Sequence, residues 1–211
     1  TSHMSSVLQC LSKNEDLTKY FLNQFYLLDK ISISNPNSRE SLTKAYYDFL
    51  NMMFNGKEKP INYTEFREIF INKSKLLNIN EQQDSYIFLT NLFKLLHMEL
   101  NRANNSNEEI KLENCVQKEG ETDQEASIRV LKKFKNKDDS IIYDLFQGQC
   151  KLTITCKECG SKSFYYQNFL TLGLPIPSKK SRIQFKLFTN EGKYIKIIAK
   201  VDEKTLMSDI V

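Results

Sequence analysis

Apolar residues recur at helical three- and four-residue steps through most of the first hundred residues of this chain. The clearest example is the stretch 82–100, where one apolar stripe of a long helix has to face a core; its members are Phe88, Leu92, Leu95, Leu96 and Leu100. Further helices are predicted, at residues 5–10, 16–31, 38–54, 63–70 and 123–134, and at 140–146 as a short helix or turn. The first half of the chain is therefore predicted to be nearly all helical.

After residue 150 the apolar period changes to two, which is typical of strands. Residues 150–156 and 164–174 are predicted to form a hairpin with Cys156 and Cys159 at its tip, and a weaker signal at 110–112 suggests a short strand. A second strand-turn-strand unit follows at 183–201, with the beginning of a helix at 202–211. The chain is thus predicted to be α+β, with its helices before its strands.

Composition excludes several classes of protein. A formal charge of +4, from 30 basic and 26 acidic residues scattered singly, gives no case for nucleic-acid binding. No run approaches the roughly 18 apolar residues that cross a bilayer, and no secretory leader is evident. Five cysteines, two of them spaced Cys-x-x-Cys, indicate reduced thiols or a metal rather than a disulfide framework. We therefore expect an intracellular protein, in the cytoplasm, the nucleus or both, with no membrane partner.

The long helix begins with Gln82, Gln83 and Asp84, which stand before its apolar stripe. Free backbone N–H groups and the positive end of a helix favour acceptor side chains there. A single helix of this kind is ordinarily a buried helix with a polar cap. A binding role for these residues needs support from other parts of the chain.

Three blocks of the sequence supply that support. SSVLQCLS, residues 5–12, resembles the second half of a Gly-Asn-Thr-Cys-x-Met-Asn-Ser-x-Leu-Gln pattern. In that pattern the Cys is a nucleophile, and a helix follows it. QQDSYIFL, residues 82–89, matches a Gln-Gln-Asp-Ser-x-Glu-Phe-Leu block. DLFQGQCKLTITCKECG, residues 144–160, with LTLGLPIP at 170–177, matches the block that introduces zinc-bearing fingers. In this order the blocks resemble the ubiquitin-specific proteases, papain-like cysteine peptidases also called ubiquitin carboxyl-terminal hydrolases.

The resemblance implies the papain-like thumb-palm-fingers deubiquitinase fold, with this chain as the N-terminal half of the catalytic domain. Residues 1–147 would be the helical thumb portion and residues 148–178 the finger hairpin. Residues 179–211 resemble the opening of a ubiquitin-like β-grasp module and would begin an insertion of that kind. The implied partners are ubiquitin or ubiquitinated proteins and the C-terminal half of the same domain, which would supply the catalytic His.

In the family a thiolate, activated by a His, attacks the carbonyl after the last Gly of ubiquitin. In register, Thr1 falls on the family Thr and Ser2 on the nucleophilic Cys. Two explanations stay open: Ser replaces Cys, or residues 2–4 are a cloning remnant that falls into register by accident; the match of Thr1 favours replacement. A Ser hydroxyl ionises far less readily than a thiol. The chain alone is therefore predicted to be inactive and to bind ubiquitin better than it cleaves it.

The other site residues are also implied by the resemblance. Gln82, Gln83 and Asp84 correspond to the block that contacts the ubiquitin tail, whose arginines a carboxylate can pair with. Ile87 stands where the family has Glu, which removes one acceptor. His97 lies on the apolar helix and is interpreted as structural rather than as the base.

Cys156 and Cys159 suit two ligands of a tetrahedral zinc, although two thiolates are only half of a structural site. The remaining cysteines have no partner at metal spacing and are interpreted as packed or incidental thiols; they are Cys10, Cys115 and Cys150.

Three functions compete at this stage. The first is a deubiquitinating thiol peptidase whose nucleophile position holds Ser2. The second is a catalytically dead ubiquitin-binding or scaffold protein of the same fold. The third is an unrelated helical and zinc-ribbon interaction module.

Overall fold

The computed structural model describes seven stretches of the chain, residues 2–29, 41–56, 61–74, 84–103, 109–175, 181–188 and 192–201. The chain divides into two compact units, residues 1–171 and 172–211. The predicted three-part division at residues 147 and 178 stays a prediction.

The first unit is α+β. Its described residues form seven α-helices: α1 (Ser2–Ser12), α2 (Glu15–Leu22), α3 (Leu42–Asn55), α4 (Thr64–Ser74), α5 (Ser85–Leu100), α6 (Asp123–Lys135) and α7 (Ile141–Phe146). They are followed by an antiparallel hairpin of β1 (Gly148–Thr155) and β2 (Lys162–Phe169). No helix of the described residues is long and apolar enough to cross a membrane.

Helix α5 is the centre of the helical core, as its apolar stripe predicts. Phe88, Leu92, Leu96 and Leu100 are all buried, and helices α1, α3, α4 and α7 all pack on α5. Residues from α2 complete the same core. The stripe therefore faces four other helices, and α2 packs on α1, α3 and α7.

A buried carboxylate joins α5 to the start of α3. Glu99 accepts hydrogen bonds from the backbone N–H groups of Leu42 (3.1 Å) and Thr43 (2.8 Å) and from the Ser41 hydroxyl (3.0 Å), and it pairs with Lys73 of α4 at 3.0 Å. The first N–H groups of a helix lack intrahelical partners, so Glu99 satisfies them. This contact fixes the relative positions of α3, α4 and α5.

The segment after α5 is held by its Asn101-Arg102 pair. Asn101 donates to the Lys137 carbonyl at 2.9 Å and accepts from the Asp139 N–H at 3.0 Å. The Arg102 guanidinium pairs with Asp139 at 2.8 Å and also with Asp29 and Asp144. These contacts fasten the end of α5 to the segment between α6 and α7.

Three predicted elements differ from the structure. The helix predicted at 16–31 ends at Leu22, because Gln24 adopts a left-handed φ of 60° and the next turn is a short 3-10 helix that stacks Tyr26 on Phe21, with ring centroids 5.8 Å apart. The strand predicted at 110–112 is wrong, because Leu112–Cys115 is a 3-10 helix that buries Cys115. Local alternation of apolar residues did not reveal either turn.

The second strand of the hairpin also ends five residues earlier than predicted. Gly148 pairs with Phe169 at the first position of the register, so β2 has no partner strand beyond it among the described residues. A Cβ on Gly148 would come within 2.5 Å of the Phe169 ring. Glycine at position 148 therefore permits this close approach of the ring to the backbone.

The second unit contains, among its described residues, an antiparallel pair of strands, β3 (Ser181–Phe188) and β4 (Tyr194–Val201). The two predicted strands are confirmed, and residues 189–191 of the turn predicted between them lie outside the described residues. The helix predicted at 202–211 lies outside the described residues.

Candidate functional site

Ser2 is the first residue of α1 and is exposed, whereas His3 and Met4 behind it are buried. The helix begins three residues earlier than its apolar pattern predicts. Unpaired N–H groups and a partial positive charge occur at a helix start and lower the pKa of a thiol placed there. Position 2 therefore has an environment suited to an anionic nucleophile, and a serine occupies it. Thr1 lies outside the described residues.

His3 anchors the start of α1 on α5. Its ring lies edge-on to Phe88, with ring centroids 6.3 Å apart, and its Nδ1 atom is buried without a hydrogen-bond partner among the described residues. Burial lowers the pKa of His3, and the nearby positive charge of Arg67 lowers it further. The neutral imidazole is thus the form that fits this contact.

This contact predicts acid sensitivity. Because the pKa of His3 is lower in the folded chain, the unfolded chain binds more protons below its own His pKa of about 6.5, and the free energy of unfolding falls as the pH falls through that value. Urea unfolding of the parent and of His3→Phe measures the effect across this range. The difference in free energy of unfolding between the parent and His3→Phe will change with pH below about 6.5 and stay constant above that pH. A constant difference throughout would contradict the assigned environment of His3.

Asp84 caps the N-terminus of α5. Its Oδ1 atom accepts a hydrogen bond from the Tyr86 N–H at 2.9 Å, and the residue is exposed. The next turn presents Tyr86 and Ile87 to solvent, and the Tyr86 hydroxyl lies 3.1 Å from the Thr171 hydroxyl beyond β2. The predicted contact residues Gln82 and Gln83 lie outside the described residues.

The structure brings the starts of α1 and α5 together. Ser2 directly precedes His3, and Asp84 lies four residues before Phe88, about 6 Å along the helix axis. Since His3 packs against Phe88, an exposed hydroxyl and an exposed carboxylate occupy the same end of one helix pair. The roles assigned to Ser2 and Asp84 stay predictions.

Comparison with known proteins identifies the family. The profile of the ubiquitin carboxyl-terminal hydrolases matches residues 1–205. The chain belongs to the ubiquitin carboxyl-terminal hydrolase family. Its α+β fold is the papain-like deubiquitinase fold, as predicted.

The relatives are considerably longer than this chain. Ubiquitin carboxyl-terminal hydrolase 15 of Xenopus tropicalis is 32% identical over 183 residues, which are 86% of this chain and 18% of that protein. Ubiquitin carboxyl-terminal hydrolase 4 of Bos taurus is 31% identical over 185 residues, 87% of this chain and 19% of that protein. Putative ubiquitin carboxyl-terminal hydrolase 11 of Arabidopsis thaliana is 29% identical over 197 residues, 92% and 21% respectively. The chain thus spans about a fifth of their length.

The other histidine of the chain, His97, has a structural role. His97 is buried, with its Nδ1 atom 2.8 Å from the Ser140 hydroxyl and its Nε2 atom 3.1 Å from an Asp138 carboxylate oxygen. The residue types match a hydrolase triad, but Ser140 is fully buried and no substrate can reach it. His97 lies nine residues after Phe88, about 13 Å along α5, and so away from the end of the α1–α5 pair that holds Ser2 and Asp84, which we call the candidate cleft. The structural interpretation of His97 is confirmed.

Cys156 and Cys159 are both exposed at the tip of the β1–β2 hairpin. The turn closes through hydrogen bonds from the Gly160 N–H to the Cys156 carbonyl (3.0 Å) and from the Cys156 N–H to the Ser161 carbonyl (2.8 Å). Hydrogen bonding with Ser161 and with the Cys156 thiol lowers the pKa of Cys159 to about 7. The donor set suits half of a thiolate zinc site, and no group of three candidate ligands occurs among the described residues.

Sequence reasoning missed one contact that builds this site and one that holds the helical core beneath it. His3 was treated as a variable residue, although the structure makes it the contact between α1 and α5. Glu99 was assigned no role. Its carboxylate lies on the apolar side of α5, and because buried charges are normally paired, this position was a signal that Glu99 has partners on neighbouring helices.

Proposed function

We propose that this chain binds ubiquitin as part of a deubiquitinating peptidase that hydrolyses the bond after the C-terminal Gly of ubiquitin. The observation that carries the proposal is the placement of Ser2, exposed at the start of α1, at the same end of the helix pair as the Asp84 carboxylate. The tail of ubiquitin would run past Asp84, with its terminal carbonyl at position 2. The arginines of the tail would pair with the carboxylate.

Ser2 makes hydrolysis by this chain poor. A hydroxyl at the helix start gains from the same partial positive charge as a thiol but ionises far less readily, so it is a weak nucleophile without a base. Neither histidine is placed as a base: the His3 ring packs on Phe88, and His97 is held by Ser140 and Asp138. The base would come from the C-terminal half of the same catalytic domain. The relatives, about five times longer than this chain, leave room for such a half.

Zinc is part of the proposal at the hairpin tip. Cys156 and Cys159 would supply two thiolates, and a structural zinc bound there would fix the tip of the hairpin by joining it to a second pair of ligands. All five cysteines lack a disulfide, which supports a reducing intracellular setting. The ubiquitin-like character of residues 179–211 remains part of the proposal, supported by the β3–β4 hairpin.

A catalytically inactive ubiquitin-binding protein is the second candidate function. Ser2 favours it directly, since substitution of the nucleophile removes chemistry and leaves a binding cleft. Ile87, exposed one turn into α5 where the family has an acidic residue, would weaken binding of the tail in either case. Release of a fluorophore from a ubiquitin substrate by Ser2→Cys mixed with the C-terminal half of the domain would discriminate the two candidates.

Ubiquitin binding can be tested through Asp84. Isotope-labelled ubiquitin titrated with the 211-residue chain should show shifts of its tail amides. Asp84→Asn keeps an N-cap acceptor but removes the charge, and loss of a charge-assisted hydrogen bond, about 1.5–3 kcal/mol, should weaken binding roughly tenfold or more.

Asp16→Asn is the matched control, because Asp16 is an exposed acid in the first turn of α2. Asp16→Asn also removes one negative charge, but at a position distant from the candidate cleft, so it should leave the affinity for ubiquitin unchanged. Absence of any tail shift with the parent chain, or equal affinity for parent and Asp84→Asn, would count against the proposed cleft.

A further inference from the structure

The β3–β4 hairpin carries the cations of its strands on one face, together with the exposed apolar residues Phe188, Tyr194 and Ile198, whereas its other face is mainly apolar. Its register pairs Gln184 with Ile198, Lys186 with Lys196 and Phe188 with Tyr194, so these side chains share a face with Arg182. The opposite face carries apolar residues, among them Ile183, Phe185, Ile195 and Ile197. We call the surface formed by Arg182, Gln184, Lys186, Tyr194 and Lys196 the basic face.

The charge of this face is not compensated within the described hairpin. Residues 181–188 and 192–201 contain five basic residues and no acidic residue. Lys186 stands directly opposite Lys196, an arrangement that destabilises a strand pair. In the described part of the chain no carboxylate pairs with Arg182, Lys186 or Lys196. The hairpin therefore retains a repulsive cross-strand pair that an anionic partner would neutralise.

One cation of the face is held in place by aromatic packing. The Lys186 ammonium lies 4.8 Å from the centre of the Tyr194 ring, and the Phe188 ring lies 5.8 Å from the same ring. This cation–π contact orders a long side chain before a partner arrives. It also places the ammonium over the Tyr194 ring, on which a nucleic-acid base would otherwise stack.

Solubility alone does not require this arrangement. Lysines on short strands discourage pairing with other sheets, and single lysines scattered on both faces would do so without a repulsive pair. Here the cations of the two strands lie on one face, and on β3 they are four residues apart, at Arg182 and Lys186, with Gln184 between them. Side chains four residues apart on a strand are separated by about 13 Å, the same interval as side chains four residues apart in an extended peptide.

We propose that the basic face binds an extended acidic segment of another protein, with Glu or Asp at every fourth position. Lys186 and Lys196 pair with the same carboxylates and remove the repulsion between them. Arg182 extends the contact along β3. The binding is electrostatic and weakens as salt concentration rises.

The test measures fluorescence anisotropy of a fluorescein-labelled peptide with Glu at every fourth position and Thr elsewhere, titrated with the 211-residue chain at low ionic strength. The double variant Lys186→Glu/Lys196→Glu should weaken binding at least roughly tenfold. Lys13→Glu/Lys94→Glu changes the net charge equally at two exposed lysines of the first unit, Lys13 in the turn after α1 and Lys94 on α5, and should keep most of the affinity.

A single substitution separates binding from folding. Lys186→Glu places a carboxylate directly opposite Lys196 on the neighbouring strand. The variant should therefore have a more stable hairpin and a lower affinity for the peptide. Three results would overturn the proposal: no peptide binding by the parent, equal loss in the control double variant, or tighter binding of an oligouridine of equal charge. The last result would assign the face to nucleic acid.

Discussion

Ser2→Cys will convert the chain into a protein that is captured covalently by ubiquitin carrying an electrophile at its C-terminus. A free thiol is a few per cent ionised at neutral pH, and the start of α1 lowers the pKa of a thiol further. The thiolate therefore reacts without a base, provided that the ubiquitin tail reaches position 2. Adduct formation is measured by intact mass and by its rate, and the Ser2 parent should form essentially no adduct.

The control for this experiment is Cys10, an exposed thiol on the same helix. Ser2→Cys/Cys10→Ser should form the adduct as fast as Ser2→Cys, and the further substitution Asp84→Asn should slow adduct formation when the concentration of ubiquitin is limiting. An adduct that depends on Cys10, or none with Ser2→Cys, would contradict the register that places position 2 at the nucleophile.

Mixing Ser2→Cys with the C-terminal half and a fluorogenic ubiquitin substrate then separates the two candidate functions. Release of the fluorophore favours the peptidase.

Glu99→Ala will be the most destabilising single substitution considered for this chain. It removes the acceptor for two buried backbone N–H groups at the start of α3 and leaves the Lys73 ammonium unpaired. Breaking a buried ion pair from one side costs about 3–5 kcal/mol. The free energy of urea unfolding should fall by that amount, and the melting temperature should fall with it.

Glu99→Gln is the matched control, because it keeps an acceptor oxygen and most of the volume and should recover part of the loss. Burial alone would raise the pKa of Glu99, but hydrogen bonds from Thr43, Leu42 and Lys73 outweigh burial and hold the pKa below its usual value. The stabilisation is therefore complete above the unfolded pKa and is lost as the pH falls through the folded pKa. A loss below about 0.5 kcal/mol for Glu99→Ala, within the range of a surface substitution, would show that the carboxylate is not the joint between α3 and α5.

Periodicity predicted the helical elements well because burial of an apolar stripe depends on local spacing. The stripe of α5 and the helices at 63–70 and 123–134 are present with shifted ends. Helix α1 extends back to Ser2, since its first residues pack against Phe88, a contact that no local pattern contains.

The failures share one cause. The helix predicted through residue 31 ends where Gln24 turns, because Tyr26 packs back onto Phe21. The strand at 110–112 is absent because Cys115 is drawn beneath α6, and β2 ends where its partner begins. In each case a packing or strand-pairing contact that apolar periodicity does not contain overrides the local pattern.

By itself the sequence determined the family, the order of helices before strands, the serine at position 2 and the thiol pair at a hairpin tip, because motifs and periodicity are local properties of the chain. Only the tertiary structure decided that Ser2 and Asp84 share one end of the α1–α5 pair, that His97 is enclosed by Ser140 and Asp138, and that Glu99 joins α3 to α5. These facts depend on which side chains meet across tens of residues. Close packing and the pairing of buried charges determine these contacts, so they cannot be predicted from any single segment of the sequence.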